Sequence, residues 1–331
     1  MNLSPAPSPS RERGTKARRT SAWKYSATFL LLGSMGTFSS NGSWGVAARL
    51  PEPLQEISAT ALHGRIYVVG GINTKNEATK VVYRYDPATD RWERLNDFPD
   101  YRHHMPLVVL NDTLFAIGGY SPPGFTPVRM VLAYDESHDA WLGRAFLPEA
   151  RGASAAAVVD GKIVVVGGVG MENRHVDSIA IYDPATDSWR HAAPIPTLRD
   201  HLTAGAVGGI VYAIGGRKGQ NFDVVEAYNP RTDRWATRAK MPSERGGLAS
   251  VVVNDQIYTY GGERPSHQGD AGVFPNHEQY TPKTDRWMAL PPLPTPRHGI
   301  GVATLGGRIY VIGGGPKAGF AQTDVVEVFT P

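Results

Sequence analysis

A pair of glycines, followed by a loop, a tyrosine and seven residues later a tryptophan, recurs along this chain. The clearest copy runs from Gly70-Gly71 to Tyr85-Asp86-Pro87-Ala88-Thr89-Asp90-Arg91-Trp92. Further copies are Gly118-Gly119 with Tyr134 and Trp141, Gly167-Gly168 with Tyr182 and Trp189, Gly215-Gly216 with Tyr228 and Trp235, and Gly261-Gly262 with Tyr280 and Trp287. A sixth pair, Gly313-Gly314, leads to Phe329-Thr330-Pro331 without a tryptophan of its own. Successive pairs are 48, 49, 48, 46 and 52 residues apart. A repeat of this length is one supersecondary unit that cannot bury its faces alone, so the copies must stack as a single body.

Each unit reads as four short strands. The first is rich in small residues, as in Gly152-Ala153-Ser154-Ala155-Ala156-Ala157-Val158-Val159, and suits a crowded centre. Turns such as Asp160-Gly161 and Asn254-Asp255 lead to an aliphatic and aromatic second strand that ends on the glycine pair. The third strand carries the tyrosine and the fourth the tryptophan, joined by Asp-Pro-Ala-Thr-Asp turn chemistry. The missing sixth tryptophan has a counterpart in Asn41-Gly42-Ser43-Trp44, ahead of the first unit. The expected fold is therefore all-β: a six-bladed propeller with four antiparallel strands per blade, closed by an N-terminal strand that completes the C-terminal blade. Closure of this kind hides sheet edges. These motifs resemble the kelch-repeat family, and the resemblance extends from about Ser43 to Pro331.

Residues 1–40 read as a separate tail and 41–331 as the propeller. The tail carries Arg11, Arg13, Lys16, Arg18, Arg19 and Lys24 against Glu12, then an apolar centre at Phe29-Leu30-Leu31-Leu32 and small residues up to Ser40. That order is expected of a secretory signal, which implies a periplasmic or extracellular protein. The apolar run is too short for a convincing spanning helix. Without residues 1–39 the formal charge falls from +3 to −2, which removes the basis for nucleic-acid binding. The chain has no cysteine, hence no disulfide framework. No cofactor or metal site is expected, and the chain reads as a monomer.

The segment leading into each first strand has its own regularity, apolar-Pro-x-x-Arg, which places Arg102, Arg151, Arg199, Arg245 and Arg297 at equivalent positions. The first unit departs from it, with Leu54 followed by Gln55 and Glu56. In antiparallel blades the start of the first strand and the end of the second share a face. Five guanidinium groups are thus expected around one mouth, as a trap for an acidic small molecule or acidic peptide segment. His103, His104, His201 and His298 adjoin these arginines, and their expected role is ligand hydrogen bonding. In the longest post-glycine loop, Glu263 is a candidate acid or base, with Arg264 beside it as a candidate ligand contact.

Two functions follow from the resemblance. Many kelch propellers bind acidic peptides or other ligands on this face. The chain also resembles the bacterial secreted kelch group that contains the sialic-acid mutarotase, which implies acid–base ring opening of a sugar acid. That group carries a glutamate after a glycine pair and an arginine six residues on. Glu263 matches the first position, whereas the second is Gly269. Binding of an anionic ligand is the expectation taken forward, with mutarotation or epimerisation as its alternative. The copper chemistry of galactose oxidase, another kelch relative, needs a cysteine that this chain lacks.

Overall fold

The computed structural model describes residues 42–265 and 270–331. The expected secretory segment lies outside the described residues. Six four-stranded antiparallel sheets follow one another. Blade one comprises Ser58–Leu62, Arg65–Val69, Val82–Asp86 and Arg91–Arg94, paired in chain order. Blades two to five repeat this order over 107–143, 155–192, 203–237 and 249–289.

Blade six is assembled from both ends of the propeller. Gly301–Leu305, Arg308–Ile312 and Val326–Thr330 supply three strands, and Ser43–Val46 pairs antiparallel with the last of them. Trp44 stands opposite Phe329, as Trp92 stands opposite Tyr85 in blade one. Expectation and structure agree on the blade number, the strand number and the closing strand. Two small hairpins on the post-glycine loops were not legible: Tyr120–Ser121 with Thr126–Pro127, and Arg217–Lys218 with Gln220–Asn221.

The core lies between blades. Ile66, Val68 and Tyr85 of blade one pack with Tyr310, Ile312 and Val328 of blade six. Burying a large apolar side chain stabilises by about 1.5–3 kcal/mol, and each seam repeats the gain. The glycine pairs make the close approach between blades sterically open. Gly70 has φ +66, and a Cβ there would sit 2.3 Å from the Arg102 carbonyl oxygen.

A polar clamp crosses five of the six seams. The Tyr85 hydroxyl donates to Asp90 at 2.7 Å, and the same carboxylate accepts the Ala48 backbone N–H at 2.8 Å. Tyr182–Asp187 and Tyr228–Asp233 repeat the arrangement with Ala145 and Ala193. The aspartate of the repeated turn is therefore also an inter-blade anchor. Tryptophan adds a second tie, as when the Trp92 indole N–H donates to the Ala48 carbonyl at 2.8 Å.

Blade six has no tyrosine for this clamp. Trp44 instead donates to the Pro291 carbonyl at 3.0 Å, and His277 shares that carbonyl through Nδ1 at 3.0 Å. The His277 ring stacks on Tyr260 at 4.4 Å and meets Phe329 edge-on at 4.4 Å. Burial pushes its pKa down to about 4, against the Pro291 carbonyl and with help from the Arg245 charge.

The unfolded chain takes up this proton first, near pH 6.5, so folding stability falls as pH drops below that value and levels off near pH 4. The loss at His277 is on the order of 3 kcal/mol. Melting of the protein and of His277→Phe, compared from pH 7 to pH 4, is expected to show a weaker pH dependence in the variant. Parallel curves would refute this account of the closing seam.

Candidate functional site

Six residues, one per blade, surround the axis at the face where the first strands begin: Glu56, His104, Ala153, His201, Gly247 and Gly299. Their backbones form a closed cycle of hydrogen bonds. Glu56 N–H donates to Gly299, His104 to Glu56, Ala153 to His104, His201 to Ala153, Gly247 to His201, and Gly299 to Gly247, at 2.7–3.2 Å. All six have φ between +49 and +65. This left-handed conformation suits glycine, and a non-glycine residue in it costs of order 1 kcal/mol or more. Around this cycle, residues one position earlier pair with those just after the glycine pairs, as in His103 with Tyr120, Asp200 with Arg217 and Gly246 with Glu263.

The five arginines are not at this mouth. Arg102, Arg151, Arg199, Arg245 and Arg297 are at most 1% exposed. Each side chain turns back into its own blade. Arg199 donates to the Gly215 and Ala213 carbonyls and pairs with Glu226 at 2.5 Å. Arg245 pairs with Glu278 and Arg297 with Glu327, both at 2.6 Å. Arg102 pairs with Asp100 at 3.0 Å and Arg151 with Glu149 at 3.5 Å. The expected ring of exposed guanidinium groups is thereby corrected. These are structural ion pairs: Arg199, Arg245 and Arg297 are buried together with their glutamates, whereas Arg102 and Arg151 are buried against carboxylates that keep access to solvent. Burial lowers the Arg151 pKa to about 10 against the pull of Glu149 and Asp177, leaving the group charged at neutral pH.

The histidines do converge. The His103 and His104 Nδ1 atoms face each other at 2.5 Å. His104 Nε2 lies 3.1 Å from Glu56, and Glu56 lies 3.3 Å from His298 Nδ1. His298 continues to Glu263 at 3.6 Å, and Glu263 to the Arg217 guanidinium at 2.5 Å. Arg217 in turn approaches Asp200 at 3.7 Å, and Asp200 holds His201 Nδ1 and, at 2.6 Å, His175 Nε2. One continuous imidazole–carboxylate array therefore spans the mouth. The His104 and His201 rings meet edge-on at 4.9 Å. Gly299 makes room for it, since a Cβ there would lie 2.5 Å from a Glu56 carboxylate oxygen.

Protons are ordered along the array. His298 Nε2 faces the Lys317 and Gly319 carbonyls at 3.0 and 3.1 Å, so it carries a proton. Its Nδ1 faces two carboxylates, which favour a second proton there. Burial disfavours this cation, but the Glu56 and Glu263 carboxylates outweigh burial and raise its pKa. Its contribution to stability is whole below about pH 6.5 and fades as pH rises through the raised value. Burial also disfavours the Glu56 anion, and the surrounding imidazoles reverse this and hold its carboxyl below the usual range. His103 is kept neutral, its pKa lowered by burial to about 4, and burial also lowers His104 well below the usual imidazole range. With Glu56 accepting the His104 Nε2 proton, His104 Nδ1 is left to accept from His103 Nδ1–H.

Of the candidate residues, His103, His104, His201, His298 and Glu263 thus share one network. Arg264 does not, since it pairs with Asp270 of its own loop at 2.6 Å. Sequence reasoning missed Asp200, Arg217, His175 and the role of Glu56. Leu54 replaces the arginine in the first unit, with Glu56 two residues on, and that irregularity was the available signal. On the axis, the array borders a cavity of about 120 Å³ lined by the six-residue cycle and by Ile57, Met105 and Leu202. No group of His, Asp or Glu among the described residues is arranged to hold a metal ion.

A closed ring of six four-stranded sheets with a polar array on its loop face defines a β-propeller of the repeat class. Residues 40–195 match the KLHDC2/KLHL20/DRC7 Kelch-repeats domain and residues 198–242 the Kelch motif. The chain belongs to the kelch-repeat family. It is 30% identical to Kelch-like protein terF of Aspergillus terreus (strain NIH 2624 / FGSC A1156), over 88% of this chain and 56% of that protein. It is 30% identical to mouse (Mus musculus) Kelch-like protein 35 over 39% of this chain, and 33% identical to alpha-scruin of Limulus polyphemus over 38%. Those matches span 21% and 14% of the relatives' own lengths. The solved structure of YjhT superposes with a TM-score of 0.71 at 18% identity, covering 86% of this chain and 97% of that one, which shows a shared fold.

The buried arginines yield a stability prediction. Arg199→Met leaves Glu226 buried without its cation and is expected to cost about 3–5 kcal/mol in urea unfolding. Arg199→Met combined with Glu226→Leu is expected to recover most of that loss. A single variant as stable as the parent would return Arg199 to the list of ligand contacts.

Proposed function

We propose that this propeller binds a small polar ligand over the axial mouth, and that a sugar acid is the class it suits best. One observation carries the proposal. The axial hydrogen-bond cycle is complete with alanine or glycine in three blades, at Ala153, Gly247 and Gly299, yet Glu56, His104 and His201 occupy the same strained position in the others. The scaffold does not need these side chains there, and strain retained without a structural return points to a site. The axial cavity of about 120 Å³ has room for only a few water molecules, so a sugar would rest on the mouth and reach in with one group. The cation on offer to a carboxylate is Arg217, one-third exposed, with His298 behind it.

A second reading, sugar-acid mutarotation, draws support from the ordered protons. The Glu56–His104–His103 chain leaves the neutral His103 imidazole with its Nε2 as an acceptor, one of the two roles that ring opening at an anomeric carbon needs.

Titration calorimetry with sialic acid, uronic acids, neutral sugars and acidic peptides tests the binding reading. His104→Ala and His201→Ala are expected to keep the melting temperature close to that of the parent, since Ala153 already stands in this position. Each is expected to weaken sugar-acid binding at least about tenfold, or ~1.4 kcal/mol. Retained affinity in both variants would remove the mouth as the site. An anomer time course with Glu56→Gln and Glu263→Gln addresses mutarotation, and parental rates in both would exclude the array from it.

A further inference from the structure

A larger cleft opens on the same face, outward from the mouth, between the post-glycine loops of blades one and two. It encloses about 780 Å³, with His103 among its lining. Three aromatic side chains line it, one from each of three separate segments: Tyr101, Phe125 and Phe320, exposed by 48%, 50% and 56%. Half-exposed aromatic rings forgo burial that the fold would otherwise use. Gathered in one concavity, they form a platform rather than scattered surface residues.

The rings are held in place. Phe125 meets the His103 ring edge-on at 4.7 Å and the Tyr120 ring at 5.2 Å. The Lys80 ammonium lies over the Tyr101 ring at 4.8 Å. Phe320 rides on a loop tied to blade one by the Gln322 to Asn76 hydrogen bond at 3.1 Å and anchored by the Ala321 N–H on Gln55 at 3.0 Å. Between the rings, Asn73, Glu77 and Lys80 offer donors and acceptors.

We propose that this cleft binds a neutral saccharide, one or more pyranose rings of a glycan. A sugar ring has an apolar C–H face and a polar hydroxyl rim, and the cleft presents aromatic faces beside amide, carboxylate and ammonium groups. A protein partner would instead need a broad surface of roughly 1,000 Å² or more, whereas the volume here is that of a small-ligand site. The charges select against an acidic sugar. Arg94 is held by Asp97 and Lys80 offsets Glu77, while Glu52, which accepts the neutral Tyr83 hydroxyl at 2.8 Å, keeps its charge and leaves the lining net negative. This inference stands apart from the reading of the axial mouth.

The test uses hexamers of β-1,4-linked glucose, N-acetylglucosamine and galacturonic acid, titrated into the full protein by calorimetry. At least one neutral hexamer is expected to bind with a dissociation constant on the order of 0.1–1 mM. Tyr101→Ala combined with Phe125→Ala is expected to weaken it at least about tenfold. Both rings are half-exposed, so the fold is expected to survive, which an unchanged melting temperature checks. Leu142→Ala, an exposed apolar residue on the outer strand of blade two, serves as the control. The proposal is overturned by no neutral hexamer binding at about 10 mM, by binding of the galacturonate hexamer alone, or by full affinity in the double variant.

Discussion

The cycle of six backbone hydrogen bonds around the axis constrains everything else on the loop face. Each N–H reaches the carbonyl of the preceding blade, and the cycle closes only when the sixth blade meets the first. The strand Ser43–Val46 completes blade six at its outer edge by pairing with Val326–Thr330, while the innermost strand of that blade meets blade one at the axis. The geometry also fixes a left-handed backbone at all six positions. Sterics then favour glycine, and each departure from small residues is a choice made against the backbone. Three such departures, Glu56, His104 and His201, stand at the centre of the polar array. Scaffold and site therefore compete for the same six positions, and the identity of the residue at each shows which one prevails there.

The fold was legible because its signals are local and repeated. Glycine pairs, the tyrosine–tryptophan spacing and the turn aspartates are short patterns whose meaning does not change from blade to blade. The displaced Trp44 was legible for the same reason, since five complete copies define what the sixth lacks. The site was only half legible. Histidines adjoining the arginines marked the right face and the right radius. The direction of each arginine was misjudged, because three consecutive residues at a strand start point three different ways. Arg199 turns into its blade, Asp200 lies at the loop bridge, and His201 takes the axial cycle.

A clue to that direction was present in the internal comparison of blades. In blades four, five and six a glutamate stands two residues before the third-strand aromatic, at Glu226, Glu278 and Glu327, and each is at most 4% exposed. A glutamate in an otherwise apolar strand needs a buried cation. In blades two and three that position is Leu132 or Ala180, and the acid moves to two residues before the arginine, at Asp100 and Glu149. Acid and arginine thus stay matched while the acid changes strand. Blade one obeys the same logic without an arginine. Leu54 fills the buried slot, Tyr83 takes the third-strand position, and Glu52 accepts its hydroxyl. The irregular first unit is an arginine-free solution to the same packing problem, in which a tyrosine hydroxyl takes the place of the guanidinium opposite the acid.

That exchange explains why the mouth is asymmetric. The pairs in blades four to six keep both charges inside, and in blades two and three a partly exposed Asp100 or Glu149 offsets the buried arginine, so the arginines contribute little field at the surface. What remains at the mouth is set by the carboxylates Glu56, Glu263 and Asp200 against Arg217 and the His298 imidazole. Glu56 sits in the one blade without an arginine, next to His298 of blade six and His104 of blade two. Blade one therefore supplies the acidic side of the axis, and its post-glycine loop also forms a wall of the aromatic cleft. His103 lies where the two meet, with its ring against Phe125 and its Nδ1 against His104. A ligand seated in the cleft would press on the same imidazole that orders the protons of the array. His103 is thus the side chain that the axial array and the aromatic cleft share.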